Sequence, residues 1–331
     1  MTNLFICATP LQLKIAYKII EDKKFNNKKN DIIYYSFDKK KKIIHKNNRI
    51  NKLIQLKLHQ SFPFYIFFLK KRLTNFNYET IFIPTYIGRI GQVILNILSF
   101  NKLKFFSDGS LNIFDDKTQE KMNELGSNNF KKFFSMIFDI FFNFKKISYF
   151  KKIVNEEYTI YPKKNLKNYK FVYLKNFWKK NYKTISQIKI DPSKKVLKIF
   201  IGTIFHELFE NMKINKEDKE KIIHKFNEFL IKKKIDVYIG HPREKKIKLR
   251  KNKFTKVLEL QKTAEDFIIN EKFYHKKIEV YGFCGSTTLF NLFNIKGIKT
   301  YMLVFFLKNY YENIYLKQLK NFKIKLVKLY R

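Results

Sequence analysis

Two short elements, far apart in the chain, carry titratable side chains in settings that suit group transfer. Ser107-Asp108-Gly109 follows the apolar stretch Leu103–Phe106, and His241-Pro242 follows Ile235–Gly240. Each puts a side chain at the carboxyl end of an expected strand, where open α/β sheets hold their ligands. A carboxylate and an imidazole delivered from two such sheets make a base and an acid for group transfer. Asp108 also reads as a turn residue, because Gly109 accepts positive φ and an Asp can cap its own backbone. Its place before the polar Ser110 and Asn112 points instead to a carboxylate that takes a proton from an acceptor hydroxyl. Pro242 keeps His241 out of the helical region and so presents the imidazole at the strand tip. Arg243 adds a second cationic donor for an anion.

Gly285-Ser286-Thr287 precedes an expected helix. Two hydroxyls and free N–H groups at a helix N-terminus suit a phosphate, although an ordinary Ser N-cap has the same pattern. Glu265, on the preceding helix, either accepts hydrogen bonds from ribose hydroxyls or faces solvent. His206 follows Gly202-Thr203 and is of some interest, whereas His45, His59, His224 and His275 sit in Lys-rich stretches and are expected to be solvated. No Asp-x-Asp, no metal-spaced His cluster and neither common glycine-rich phosphate loop occurs. A nucleotide-diphosphate site built on that metal-binding pattern is therefore disfavoured, whereas a monophosphate leaving group needs less metal help and could be served by His and helix-terminus donors.

The elements that must position these residues alternate between strand and helix. In the first half, strands are expected over Asn3–Ala8, Asp31–Ser36, Thr80–Ile83 and Leu103–Phe106. Helices are expected over Leu11–Glu21, with Thr9 as N-cap and Pro10 in the first turn, over Phe62–Leu69 and over Arg89–Phe100. Lys39–Asn51 reads as a basic loop. In the second half, strands at Val196–Ile201, Ile235–Ile239, Ile278–Tyr281 and Lys299–Val304 alternate with helices at Lys216–Lys232, Thr263–Glu271 and from Ser286 through Asn294. Lys175–Lys195, which contains Asp191-Pro192, is the linker candidate. This rhythm argues for mostly parallel sheets covered by helices, in domains over 1–180 and 190–331.

Composition limits the partners. The formal net charge of +41, from 69 basic and 28 acidic residues, attracts polyanions. The Lys residues run along the whole chain and no nucleic-acid module is recognisable, so nucleic acid is not an expected partner. Coding bias toward Lys, Asn, Ile and Phe accounts for part of this excess. Cys7 and Cys284 lie in apolar strand contexts, against a disulfide framework or a zinc site. Met1-Thr2-Asn3-Leu4 has no basic start or cleavage site of a signal peptide, so a cytoplasmic location is expected. No apolar run is long enough to span a bilayer. Phe133–Phe144, flanked by Lys131-Lys132 and Lys145-Lys146, reads either as a buried helix or as one lying on the inner leaflet's anionic surface.

Four segments occur in a telling order: Leu4-Phe5-Ile6-Cys7-Ala8-Thr9-Pro10-Leu11-Gln12-Leu13, Phe106-Ser107-Asp108-Gly109-Ser110-Leu111-Asn112-Ile113, Ile239-Gly240-His241-Pro242-Arg243-Glu244 and Gly285-Ser286-Thr287. Together they resemble bacterial sialyltransferases of glycosyltransferase family 52, the lipooligosaccharide sialyltransferase group. The resemblance implies a GT-B fold of two Rossmann-like domains facing a central cleft, the first on the acceptor side and the second binding the nucleotide sugar. It implies inverting, metal-independent and cofactor-free transfer of sialic acid from CMP-sialic acid to a terminal galactose of a lipooligosaccharide or related glycan. His241 would bind the CMP phosphate and assist its departure, Ser286 and Thr287 would hold that phosphate, and Glu265 would meet the ribose. Gly202 and Thr203 would line the nucleotide cleft, with Thr9, Pro242, Arg243 and Gly285 completing the donor-binding set. Asp108 fits the acidic-acidic-Gly motif as base, with Ser107 where an acid is usual. Members that place the base after the first strand of the second domain make Glu207 and Glu210 the alternative. Other members transfer glucose, which leaves a second donor open, and a basic protein that binds anionic glycolipid or nucleic acid is the non-enzymatic alternative. The implied partners are a nucleotide-sugar donor, a glycan or glycolipid acceptor and an anionic membrane surface, and a homodimer is compatible with the apolar excess.

Overall fold

The computed structural model describes residues 2–25, 27–36, 48–57, 65–73, 76–85, 87–107, 109, 113–114, 118, 129–161, 170–178, 195–241, 256–258, 260, 263–305, 310–319 and 322–329. The chain divides into two compact units, Met1–Asp115 with Ser127–Phe177 and Asp116–Gly126 with Trp178–Arg331.

The first unit starts with strand β1 (Thr2–Cys7), whose unbroken apolar run is buried, as a parallel strand covered on both faces must be. Helix α1 (Pro10–Ile20) follows at once. Thr9 Oγ1 accepts the Gln12 N–H at 3.2 Å and Gln12 Oε1 accepts the Thr9 N–H at 3.3 Å, a complete capping box. The chain continues through β2 (Lys29–Ser36), β3 (Lys52–Lys57), α2 (Tyr65–Leu73), β4 (Asn77–Pro84), α3 (Arg89–Ile97) and β5 (Ser99–Ser107). It closes with α4 (Asn129–Phe141), α5 (Ile147–Ile153), β6 (Glu156–Thr159) and β7 (Lys170–Tyr173). The seven strands are parallel, in the order β3-β2-β1-β4-β5-β6-β7.

Two expectations need correction here. The helix from Arg89 stops at Ile97 rather than Phe100. Leu98 turns extended (φ −87°, ψ 144°) and the Ser99 N–H donates to the Phe76 carbonyl at 3.4 Å, so Phe100 already belongs to β5. The Phe133–Phe144 segment is not a fully buried helix. It is helical to Phe141 and leaves Phe133, Met136, Ile137, Ile140 and Phe141 exposed.

The second unit contains β8 (Val196–Ile201), α6 (Phe205–Asn211), α7 (Lys216–Lys233), β9 (Val237–Ile239), β10 (Lys256–Leu258), α8 (Ala264–Glu271), β11 (Lys277–Phe283), α9 (Thr287–Leu292), β12 (Ile298–Val304), α10 (Tyr310–Gln318) and β13 (Lys325–Lys328). Its sheet is also parallel, in the order β10-β9-β8-β11-β12-β13. Both sheets follow the 3-2-1-4-5-6 order of doubly wound nucleotide-binding folds. The α/β class with two parallel sheets is the one the sequence leads to. No described helix is long and apolar enough to cross a membrane.

An aromatic cluster fixes the site end of the second sheet. Phe283, at the end of β11, packs on Phe200 of β8 (5.5 Å between centroids), Phe226 of α7 (5.1 Å) and Phe205 of α6 (5.3 Å). The turns after β8 and β11 are thereby anchored to one buried core, because a ring cannot shift without disturbing close-packed neighbours.

Candidate functional site

In a sheet of this order, strand connections leave the first strand in opposite directions, which opens a crevice at the carboxyl ends. In the second unit that point lies between β8 and β11, with β9 alongside. A pocket of about 270 Å³ occupies it. Gly202, Thr203 and Glu207 contribute from the β8 side, His241 from the end of β9, and Gly285, Ser286 and Thr287 from the turn after β11. Seven residues singled out from sequence thus share one cavity within one unit. Its volume is near the lower end of small-molecule sites, which run from about 300 to 1,000 Å³, and gives room for a sugar phosphate.

Each wall has a local cause. The β8 strand ends at Ile201, and the Gly202 N–H donates to the Ile239 carbonyl at 2.7 Å, which binds the start of the α6 turn to β9. Glu207 lies in the first turn of α6. Ser286 caps α9 through its backbone position with no side-chain cap bond, so its hydroxyl is not spent on the helix. Gly285 adopts φ +86°, a region that disfavours side chains.

Sequence reasoning missed Tyr311, Cys284, Asn211 and Thr288, which also line the pocket. Tyr311 lies in the first turn of α10, a helix with little amphipathic pattern and hence no clear sequence signal. It is placed by its neighbour: the buried Glu312 carboxylate accepts the Phe305 N–H at 2.6 Å, just past β12. Burial pushes the Tyr311 phenol well above its ordinary range, and Tyr315 and Cys284 add to this, so it stays a neutral hydroxyl. Burial, followed by the Glu312 carboxylate, likewise raises the Cys284 thiol, which makes it an inert wall.

A Cβ added to Gly285 would lie 2.5 Å from the Tyr311 hydroxyl oxygen. Gly285→Ala is therefore expected to cost about 2 kcal/mol of stability, from left-handed backbone strain and displacement of the phenol together. Urea unfolding of Gly285→Ala, Tyr311→Phe and the double variant checks this. The double variant should be less destabilised than the sum of the singles, because Phe removes the clashing oxygen.

The other sequence candidates lie elsewhere. Glu265 is buried outside the pocket wall, where its Oε1 accepts the Asn291 side-chain N–H at 2.7 Å. Burial raises its pKa, against hydrogen bonds from Asn291 and Thr288 that pull it down. Since Thr288 lines the pocket, Glu265 supports the wall from behind. Glu210 is exposed and does not line the pocket. Thr9 is exposed at the carboxyl end of β1 in the first unit, its hydroxyl engaged in the α1 cap. Asp108, Pro242 and Arg243 lie outside the described residues. Ser107, next to Asp108, is buried and donates its hydroxyl proton to the buried Glu157 carboxylate of β6, a neighbour the sequence did not reveal. His275 is not solvated: its backbone N–H donates to the Glu271 carbonyl, and this turn after α8 brings the ring inward, 4.0 Å from the Glu271 carboxylate. His206 and His224 are exposed, while His45 and His59 fall outside the described residues. Among the described residues no cluster of His, Cys, Asp or Glu could hold a metal ion.

Comparison with known proteins gives these residues a context. No family model matches the chain. It is 24% identical over 312 residues to a CMP-N-acetylneuraminate:beta-galactoside alpha-2,3-sialyltransferase of Pasteurella multocida (strain Pm70), covering 88% of this chain and 87% of that one. Its fold matches a 2,6-sialyltransferase of Photobacterium sp. JT-ISH-224, solved with CMP and lactose, at a TM-score of 0.50 and 10% identity, over 98% of this chain and 78% of the other. A looser likeness, at a TM-score of 0.41 and 7% identity, is to MurG of Acinetobacter baumannii, over 99% and 85% of the two chains. In sequence the chain is thus similar over most of its length to a bacterial sialyltransferase, of the kind that its own motifs resemble, and in fold it is similar to a second protein with two parallel α/β sheets.

Proposed function

We propose that this chain is a sialyltransferase that moves sialic acid from CMP-sialic acid to a terminal galactose of a glycan, with inversion and without a metal. The likeness in sequence to a sialyltransferase over 88% of the chain supports a glycosyltransferase enzyme, and the fold is compatible with it. The observation that carries the finer reading is the meeting of His241, Ser286, Thr287 and Glu207 in one pocket at the switch point of the second sheet. An imidazole, two hydroxyls and the neutral Tyr311 phenol suit a phosphate that gains charge as it leaves.

The reaction is read as one in-line displacement. The acceptor oxygen attacks the anomeric carbon as its proton passes to a carboxylate, and the bond from that carbon to the phosphate oxygen breaks. CMP departs with the electron pair, and His241 donates to the phosphate oxygen that receives it. Glu207 is the base in this reading, because it is the carboxylate that shares the pocket with His241. Ser286 and Thr287 hold the phosphate, while Gly202 and Gly285 let the backbone come close to it. In this scheme the second unit holds the donor and the first receives the acceptor glycan, a lipooligosaccharide or related structure.

A thermal-shift series with CMP, UDP and their sugar conjugates tests the donor. Ligand that binds only the folded state raises stability with the logarithm of its excess over Kd, by about 2.7 kcal/mol at a hundredfold excess. CMP should raise the melting temperature and UDP should not. The opposite result would assign another donor, and a chain unmoved by every nucleotide would overturn the nucleotide-sugar reading.

A further inference from the structure

Two phenols on one face of α10 converge on the turn after β11. Tyr311 and Tyr315 are four residues apart, which makes them neighbours along a helix face. Their rings meet edge-on at 5.3 Å between centroids, and their hydroxyls are hydrogen-bonded to each other. Both oxygens crowd Gly285: a Cβ built there would lie 2.5 Å from the Tyr311 oxygen and 3.4 Å from that of Tyr315. The two phenols differ in where they stand. Tyr311 is half-buried and lines the pocket with Ser286 and Thr287. Tyr315 is 2% exposed and does not line the pocket.

The pair sits in a fixed frame. The Tyr315 ring packs at 6.0 Å on Phe290 of α9, the helix that Ser286 caps. Glu312, between the two phenols in sequence, accepts the Phe305 N–H and ties the start of α10 to the end of β12. A buried hydroxyl costs stability unless it is hydrogen-bonded, whereas a phenylalanine fills the same space without that cost. The Tyr315 hydroxyl bonds to a residue of the pocket wall, so its burial bears on the pocket.

On the reading of this pocket as the seat of a departing phosphate, we propose that Tyr311 is a further catalytic residue and Tyr315 its positioning residue. Tyr315 donates to the Tyr311 oxygen, which leaves the Tyr311 proton free to meet an oxygen of the phosphate. In a chain of hydrogen bonds each donor polarises the next, so the Tyr315 bond strengthens Tyr311 as a donor when the phosphate gains charge. No proton passes along this chain. The bond from the anomeric carbon to the phosphate oxygen breaks with its electron pair on the phosphate, and His241 serves the oxygen that receives the pair. Tyr311 hydrogen-bonds to a second oxygen and keeps its own proton, since burial above all holds its phenol far from ionisation.

Steady-state turnover of CMP-sialic acid with a galactose-terminated acceptor, by the parent, Tyr311→Phe, Tyr315→Phe and the double variant, tests this. A neutral donor is worth less than a charged one, so Tyr311→Phe should lower kcat about 30-fold. Tyr315→Phe should lower it about fivefold with KM for the donor unchanged, because it removes the reinforcement and not the donor. In the Tyr311→Phe background the Tyr315→Phe loss should vanish, as for groups that act in one chain. Phenylalanine keeps both rings in place, and urea midpoints check that each variant is folded. Near-normal turnover of Tyr311→Phe would overturn the proposal. So would an equal Tyr315→Phe loss in both backgrounds, or an unfolded Tyr315→Phe, either of which makes that hydroxyl merely structural. A parent that binds CMP but gives the same kcat as all three variants sinks the phenol pair alone, whereas a parent that neither binds CMP nor turns over CMP-sialic acid sinks the sialyltransferase reading with it.

Discussion

His241→Ala is expected to lower kcat at least about 100-fold, the usual loss when one positioned donor to a transition-state charge is removed. The imidazole follows β9, a three-residue strand buried along its whole length, and it lines the pocket from there. A donor that acts mainly on the departing phosphate stabilises charge absent from the ground state, so turnover should fall much more than CMP affinity. The measurement is a steady-state assay with CMP-sialic acid and a galactose-terminated acceptor, alongside calorimetric titration of CMP into both proteins. Equal losses in kcat and in CMP binding would make His241 a ground-state binding residue. Near-normal turnover would remove it from the reaction.

The contrast between central and edge strands explains how much of this fold could be read from sequence. β1, β4, β8 and β11 are interior strands with apolar runs, and all were legible. The four edge strands, β3, β7, β10 and β13, were not, and neither was interior β6, a four-residue strand that opens on Glu156 and Glu157. A strand paired on one side carries charges that discourage pairing with other chains, and those charges erase the apolar signal. The site follows the same logic. Residues next to interior strand ends, namely Gly202, Thr203, His241 and Ser286, were legible because a parallel sheet gathers its carboxyl ends on one rim. Tyr311 was not, since it reaches the pocket through Glu312 and the Phe305 N–H, a contact with no periodicity in sequence. His275 shows the opposite error. Its Lys-rich surroundings suggested solvent, but one turn after α8 buried it.

Replacing one carboxylate at a time should identify the base. Glu207→Gln keeps the size and hydrogen-bonding capacity of the side chain and removes its ability to take a proton. Loss of a general base typically costs about 100- to 10,000-fold, so kcat should fall by at least about 100-fold. Glu210→Gln should stay within about twofold of the parent, because Glu210 is exposed on α6 outside the pocket, where a neutral substitution disturbs little. The discriminating arm is Asp108→Asn, since Asp108 is next in sequence to Ser107, the last residue of β5. With Glu207 as base, Asp108→Asn retains most of the turnover and changes chiefly the KM for the acceptor, as expected for a side chain that positions a sugar hydroxyl. A collapse of kcat in Asp108→Asn beside a near-normal Glu207→Gln would transfer the base to the first unit and leave Glu207 as a wall of the nucleotide pocket. Double replacement adds an internal check. If only one of the two takes the proton, the second substitution should add little to the first, because groups that act in one step are not additive.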